Sequence, residues 1–299
     1  MAKIIHYALF YRGTNEVLPR GLHDAPIGML EADHWAMVEL FTLHGIKYVP
    51  ANVPYEAQYG SPTSYGQSRD SAVAWAVQFM DNKLRTAPAG VIVQFSHHGY
   101  SQGAVCAGNV ARKFSSSKNI KGFYMLADAL RPMEAGSMPD GSMTPAERQL
   151  NYTGYGVAGS RPLPGKQFAT RWYSIKNDVI TDCYPNSVVR DIADVSEFMG
   201  FRSLDDGTRW MADILSKLQS GKWQNLPWYK NIISSITGGK QVDLFKIGTD
   251  TFRDVQQGIG YLPPTQIHIQ YGVQKLPGYS QTYVRRMGLD AVTDAKKGL

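Results

Sequence analysis

Ser101 lies at the centre of Gly99-Tyr100-Ser101-Gln102-Gly103, and its neighbours give that pattern meaning. The preceding run, Gly90-Val91-Ile92-Val93-Gln94-Phe95, is apolar and β-branched and reads as a buried strand. The following run, Ala104 to Phe114, is small and helix-compatible. Strand, G-x-S-x-G and helix together are the context of a nucleophile elbow, in which a serine sits on a sharp turn with its hydroxyl exposed. Gly99 and Gly103 serve the turn by letting helix and strand approach closely.

A serine hydroxyl attacks a carbonyl well only when a histidine removes its proton. That histidine in turn needs a carboxylate to hold its tautomer and stabilise the imidazolium. On this architecture the chain order is Ser, then Asp or Glu, then His. Of the seven histidines (His6, His23, His34, His44, His97, His98 and His268) only His268 follows Ser101, which makes it the expected base. The acid should follow a core strand, and Phe168–Ser174 is strand-like, with Asp178 and Asp182 after it. Asp178 is preferred as nearer the strand end; Asp182 is the runner-up and Asp128 a more distant choice. Asp191 and Asp194 read as first-turn partners of a helix dipole. The oxyanion needs two donors: the backbone N–H of Gln102, and Thr14 in the loop Tyr11-Arg12-Gly13-Thr14-Asn15-Glu16 that ends the first strand. His97-His98 reads as packing at a strand end rather than a metal site, and the chemistry requires neither metal nor cofactor.

The elements that must position these residues alternate. A strand at Ile4–Tyr11, a helix near Glu31–His44, a strand at Lys47–Pro50 and a loop from Ala51 to Gln67 come first. A helix from Ser68 to Arg85 follows, with Ala72, Val73, Ala76, Phe79, Met80 and Leu84 on one face. After the elbow come a strand near Gly122–Ala127, a Gly/Pro/Met-rich loop from Leu130 to Gln167 and the strand at Phe168–Ser174. This βαβα order predicts an α/β fold with a mostly parallel central sheet and helices on both faces. Between about Val188 and Gln257 the pattern turns helical and aromatic-rich, as a lid or subdomain would. Gln266–Ile269 then reads as a short strand, and a last helix follows Gly278.

With 299 residues, 43% hydrophobic and 19% charged, the chain can bury a sizeable core, and disorder is excluded. No apolar run approaches the ~20 residues that span a bilayer. The segment after Met1-Ala2-Lys3 lacks a signal-peptide pattern. Cys106 and Cys183 do not form a disulfide framework, so synthesis in a reducing cytoplasm is expected. The net charge is +6, but no Lys/Arg run interleaves with aromatics, so nucleic acid is not the expected partner. A solvated basic surface is the plainer reading; attraction to an anionic envelope or membrane surface is the sharper one.

Several of these segments resemble a known group. Gly99-Tyr100-Ser101-Gln102-Gly103-Ala104 resembles the elbow of cutinases, and Arg12-Gly13-Thr14-Asn15-Glu16 resembles their oxyanion loop. Within that superfamily the chain is most similar to the lysin B enzymes of mycobacteriophages. The shared features are Tyr173 to Asp178, Gly154–Gly159 with Arg161-Pro162, a helical insertion between acid and base, and His268 followed by Tyr271-Gly272. The resemblance implies a cutinase-like α/β-hydrolase fold, with a catalytic domain formed by 1–187 and 264–299 and a helical lid or linker at 188–263. It implies Ser101, Asp178 and His268 as the triad. The implied reaction is hydrolysis of the ester joining mycolic acids to arabinogalactan, by a protein made in the host cytoplasm and acting on the host envelope at lysis. The alternatives are a general lipase or cutinase acting on shorter esters, and a silent fold used for envelope binding.

Overall fold

The computed structural model describes residues 3–58, 63, 65–185, 187, 190 and 267–297. Five strands make one sheet: β1 (Lys3–Tyr11), β2 (Lys47–Asn52), β3 (Val91–Tyr100), β4 (Ile120–Leu126) and β5 (Ala169–Tyr173), in the order β2-β1-β3-β4-β5. Every pairing is parallel, so each connection must cross over; helices supply the first three crossovers, and the long 127–168 stretch supplies the fourth. The helices are α1 (Glu31–Leu43), α2 (Tyr65–Arg85), α3 (Gln102–Arg112), the short α4 (Pro145–Arg148) and α5 (Tyr283–Lys296).

Alternate strand residues divide between two cores. Leu9, Tyr11, Val93, Phe95, Phe123 and Met125 pack under Ala72, Ala76 and Phe79 of α2 and Ala104, Ala107 and Val110 of α3. Their neighbours Ala8, Phe10, Tyr124, Leu126 and Tyr173 face Met37 and Phe41 of α1 and Val284, Met287 and Ala291 of α5. Each fully buried large side chain adds ~1.5–3 kcal/mol relative to exposure, so this two-sided sheet is the main stabilising element. Helices on both faces of a parallel sheet, with the elbow serine at the carboxyl end of β3, make this an α/β-hydrolase fold.

The chain departs from the sequence expectation in four places. Helix α2 begins at Tyr65 rather than Ser68, because Tyr65, Ser68, Ala72 and Ala76 form one buried stripe; Leu84, expected on that face, is 42% exposed. Strand β2 runs on to Asn52, whose side-chain amide donates to the carbonyl of Asp24 at 2.9 Å. The 130–167 stretch is not plain loop. It contains α4, closed by a capping box in which Thr144 Oγ accepts from the Glu147 N–H at 3.2 Å and Glu147 accepts from the Thr144 N–H at 2.8 Å. The same stretch wraps the fully buried guanidinium of Arg131, which donates to the carbonyls of Thr181, Ala135 and Gly154 at 2.7, 3.0 and 2.8 Å.

The fourth departure is Ile267–Gly272, which is a 3₁₀ helix and not a strand. Its buried residues are His268 and Tyr271, three apart, so the burial repeat is that of a three-residue turn and not the alternation of a strand. Apart from Arg190, the expected helical subdomain at 188–263, with Asp191 and Asp194, lies outside the described residues. Among the described residues no helix is long and apolar enough to cross a membrane.

Candidate active site

The two elbow glycines are required by contact. A Cβ on Gly99 would lie 2.3 Å from the Gly103 carbonyl oxygen, and one on Gly103 would lie 1.9 Å from the carbonyl oxygen of Tyr11. Either side chain would push α3 off β3 and β1. Between them Ser101 is held at φ 54° and ψ −117°, a conformation that L side chains rarely adopt. Its N–H bonds to the Leu126 carbonyl at 2.9 Å, which ties the turn to the end of β4. The turn leaves Ser101 partly exposed at the carboxyl end of the sheet.

His268 is delivered to this turn from a distant part of the chain. Its Nε2 is 3.1 Å from Ser101 Oγ and its Nδ1 is 3.0 Å from Asp178 Oδ2. Tyr100, next to the nucleophile, clamps it twice: the phenol donates to the His268 carbonyl at 2.9 Å, and the two rings stack at 5.2 Å. Asp178 is buried in a tight turn after β5, where its Oδ1 accepts the Ile180 N–H at 3.1 Å. Its Oδ2 also accepts the phenol of Tyr271 at 2.8 Å. Burial and the adjacent Asp178 carboxylate hold the Tyr271 phenol well above its ordinary range, so it stays protonated.

The other carboxylates considered for the acid are engaged elsewhere. Asp182 accepts backbone N–H groups from Thr153, Gly154 and Asn177 at 2.9, 2.8 and 3.0 Å, which braces the Asp178 turn. Asp128 is paired with Arg161 at 2.6 Å and accepts from the Trp172 indole at 3.0 Å.

On the opposite side of Ser101, Gln102 opens α3, so its N–H has no acceptor within the helix. Its side-chain oxygen receives the Thr14 hydroxyl at 3.3 Å, which ties the Thr14 loop to the start of α3. The Thr14 loop is braced from within. Glu16 accepts from the N–H groups of Gly13 and Met29 at 2.6 and 2.8 Å, and Arg12 donates to the carbonyl of Glu16 at 2.9 Å and to that of Tyr55.

His97 and His98 lie on opposite faces of β3 and so cannot converge on one ion. His97 bonds the Tyr11 hydroxyl at 2.8 Å and stacks on Phe123; burial holds it well below its ordinary value, hence neutral. His98 stacks on Tyr124, with Nε2 2.8 Å from Ser96 Oγ and Nδ1 2.8 Å from Asp33. Cys106 and Cys183 are both buried and free. In the sequence Tyr271 stands out only as a point of family likeness after His268, and neither its phenol nor Tyr100 signals a role. An aromatic next to a nucleophile, and one a 3₁₀ turn beyond a base, are too common to signal by themselves.

No family model and no curated protein matches this sequence. Solved structures similar to it include a cutinase-like protein from Cryptococcus sp., at 16% identity over 63% of this chain and 84% of that one, with a TM-score of 0.39. Another is Trichoderma reesei cutinase in complex with a C11Y4 phosphonate inhibitor, at 18% identity, covering 64% and 73%, TM-score 0.37. A third is the catalytic core domain of acetyl xylan esterase from Trichoderma reesei, at 16% identity, covering 66% and 90%, TM-score 0.36. At these levels it is the chain's own geometry that must carry any functional reading.

Proposed function

We propose that the protein is a serine esterase whose nucleophile, base and acid are Ser101, His268 and Asp178. The observation that carries this reading is the continuous chain from Ser101 Oγ to His268 Nε2 at 3.1 Å and from His268 Nδ1 to Asp178 at 3.0 Å. In the first half-reaction Ser101 Oγ attacks the ester carbonyl while His268 Nε2 takes the hydroxyl proton. The developing oxyanion is received by the N–H of Gln102 and by Thr14. The imidazolium, stabilised by Asp178, then protonates the departing alkoxide, leaving an acyl group on Ser101. A water molecule, deprotonated by His268, hydrolyses that acyl-enzyme and restores the starting state. These steps use only the chain's own groups.

The substrate we propose is the ester between mycolic acids and arabinogalactan, which places the protein's work at a mycobacterial envelope during phage lysis. Two kinds of observation favour a lipid ester. The motif likeness in the elbow and the Arg12–Glu16 loop is one. The other is a set of exposed apolar side chains near the site in sequence: Val17 and Ile27 after the Thr14 loop, and Ile269 and Val273 after the base, are 65, 50, 56 and 74% exposed. Burying a long alkyl chain there would contribute ~0.8 kcal/mol per CH₂ group.

Mass spectrometry of lipids released from a mycobacterial cell-wall core tests both levels. Wild type should release free mycolic acids, and Ser101→Ala should release none. Turnover of short p-nitrophenyl esters without mycolate release would make the protein a general lipase or cutinase instead.

A further inference from the structure

We infer that Tyr271 is a positioning residue of the catalytic apparatus, tuning the base His268 through a phenolic hydrogen bond to the carboxylate of Asp178. This inference rests on the esterase reading and deepens it.

The geometry is specific. Tyr271 donates to Oδ2 of Asp178 at 2.8 Å, the same oxygen that faces His268 Nδ1 at 3.0 Å. The other oxygen, Oδ1, is taken by the Ile180 N–H. The phenol oxygen in turn accepts the Ile175 N–H at 3.1 Å, so it is fixed from both sides. Its ring is fully buried, edge-on to Tyr283 of α5 at 5.5 Å and to His268 at 6.4 Å. The phenol thereby links the acid turn after β5 to the 3₁₀ turn that carries the base.

Two donors on one carboxylate oxygen compete for its charge. The phenol withdraws part of the charge that would otherwise stabilise the imidazolium. The shared oxygen therefore offers the imidazolium less charge than an unshared Asp178 carboxylate would. Among the described residues, the other titratable groups around the pair include Lys176 in the acid turn, Tyr283 on α5, Tyr152 and Glu147 in the 130–167 stretch, Tyr100 on β3, and the Asp182–Arg131 pair beside the acid turn at 3.7 Å. Burial raises Tyr283 and Tyr152, so both stay neutral across the working range.

The test is the dependence of kcat/KM on pH, read with p-nitrophenyl butyrate. Tyr271→Phe should move the midpoint of the acid limb upward by about half to one pH unit. Replacing Tyr271 by 3-fluorotyrosine, a stronger donor of nearly the same shape, should move it downward. Opposite shifts from the two replacements are what a purely structural role does not produce. An acid limb that stays put in both would overturn the proposal, whatever the loss of amplitude. Should Tyr271→Phe not fold, the fluorotyrosine protein decides alone: a downward shift supports the role and an unmoved limb rejects it. Failure of the esterase reading is distinguishable, because Ser101→Ala would then hydrolyse the ester as fast as wild type, or wild type would not hydrolyse it at all.

Discussion

Asp178 and Asp182 lie four residues apart in one turn, both buried, yet they are given opposite work. Asp178 turns one oxygen to an imidazole and a phenol, whereas Asp182 spends both oxygens on backbone N–H groups. Asp178→Asn should therefore lower kcat about 10⁴-fold with the fold intact, by favouring the wrong imidazole tautomer. Asp182→Asn loses an acceptor in a buried network. It should lower thermal stability while leaving kcat of the folded protein within about tenfold of wild type. Steady-state kinetics and melting curves on the two variants check this division; equal kcat losses would contradict it. The sequence prefers Asp178 only as the nearer of two carboxylates that follow the same strand. What separates them in the structure are His268 and Tyr271, which return to Asp178 from 90 and 93 positions away in the chain.

The same reasoning applies to whole elements. Helix α3 sits so close to β1 that Gly103 has no room for a Cβ, with the Tyr11 carbonyl oxygen only 1.9 Å from where it would lie. Gly103→Ala should cost about 3 kcal/mol of stability, measured by urea unfolding, since neither backbone can yield without moving the sheet. Most of the architecture is legible in the sequence, because the strand–helix alternation, the elbow glycines and the order of serine, acid and histidine each have a short-range signal. The Thr144–Glu147 capping box is also short-range, and can be read directly from Thr144-Pro145-Ala146-Glu147. The 130–167 stretch otherwise resists reading, because its order comes from Arg131 and Arg161, whose partners include the Thr181 and Val105 carbonyls and the Asp128 carboxylate outside the stretch. The turn at Ile267–Gly272 resists for another reason: a short apolar run fits a strand or a 3₁₀ turn equally well until its burial repeat is known.

At the scale of the whole molecule, buried histidines set the response to acid. His6 is pushed down to about 3 by burial, and His97 is held well below its ordinary value by burial and its neighbours His98 and His6. Both are neutral when folded and bind a proton near 6.5 when unfolded. The stability they contribute is full above that pH and is lost as pH falls toward the folded value, by about 1.4 kcal/mol per pH unit for each group. Asp33 acts in the opposite sense. Burial raises its carboxyl above 3.8, so just above that pH the folded chain keeps a proton that the unfolded one has released. With His34, which burial lowers to about 4, three histidines against one carboxyl leave net acid lability between pH 7 and pH 5. The urea midpoint should fall between pH 7 and pH 5, and His97→Gln should remove about one proton from that slope; equal midpoints at the two pH values would refute it.

The clamp on His268 has a consequence for how such a chain can be altered. Tyr100, Ser101 and Asp178 all precede residue 188, and Tyr271 follows the base. Altering any one of the four therefore leaves the imidazole tethered by the others, so single substitutions should change reactivity before they displace the base.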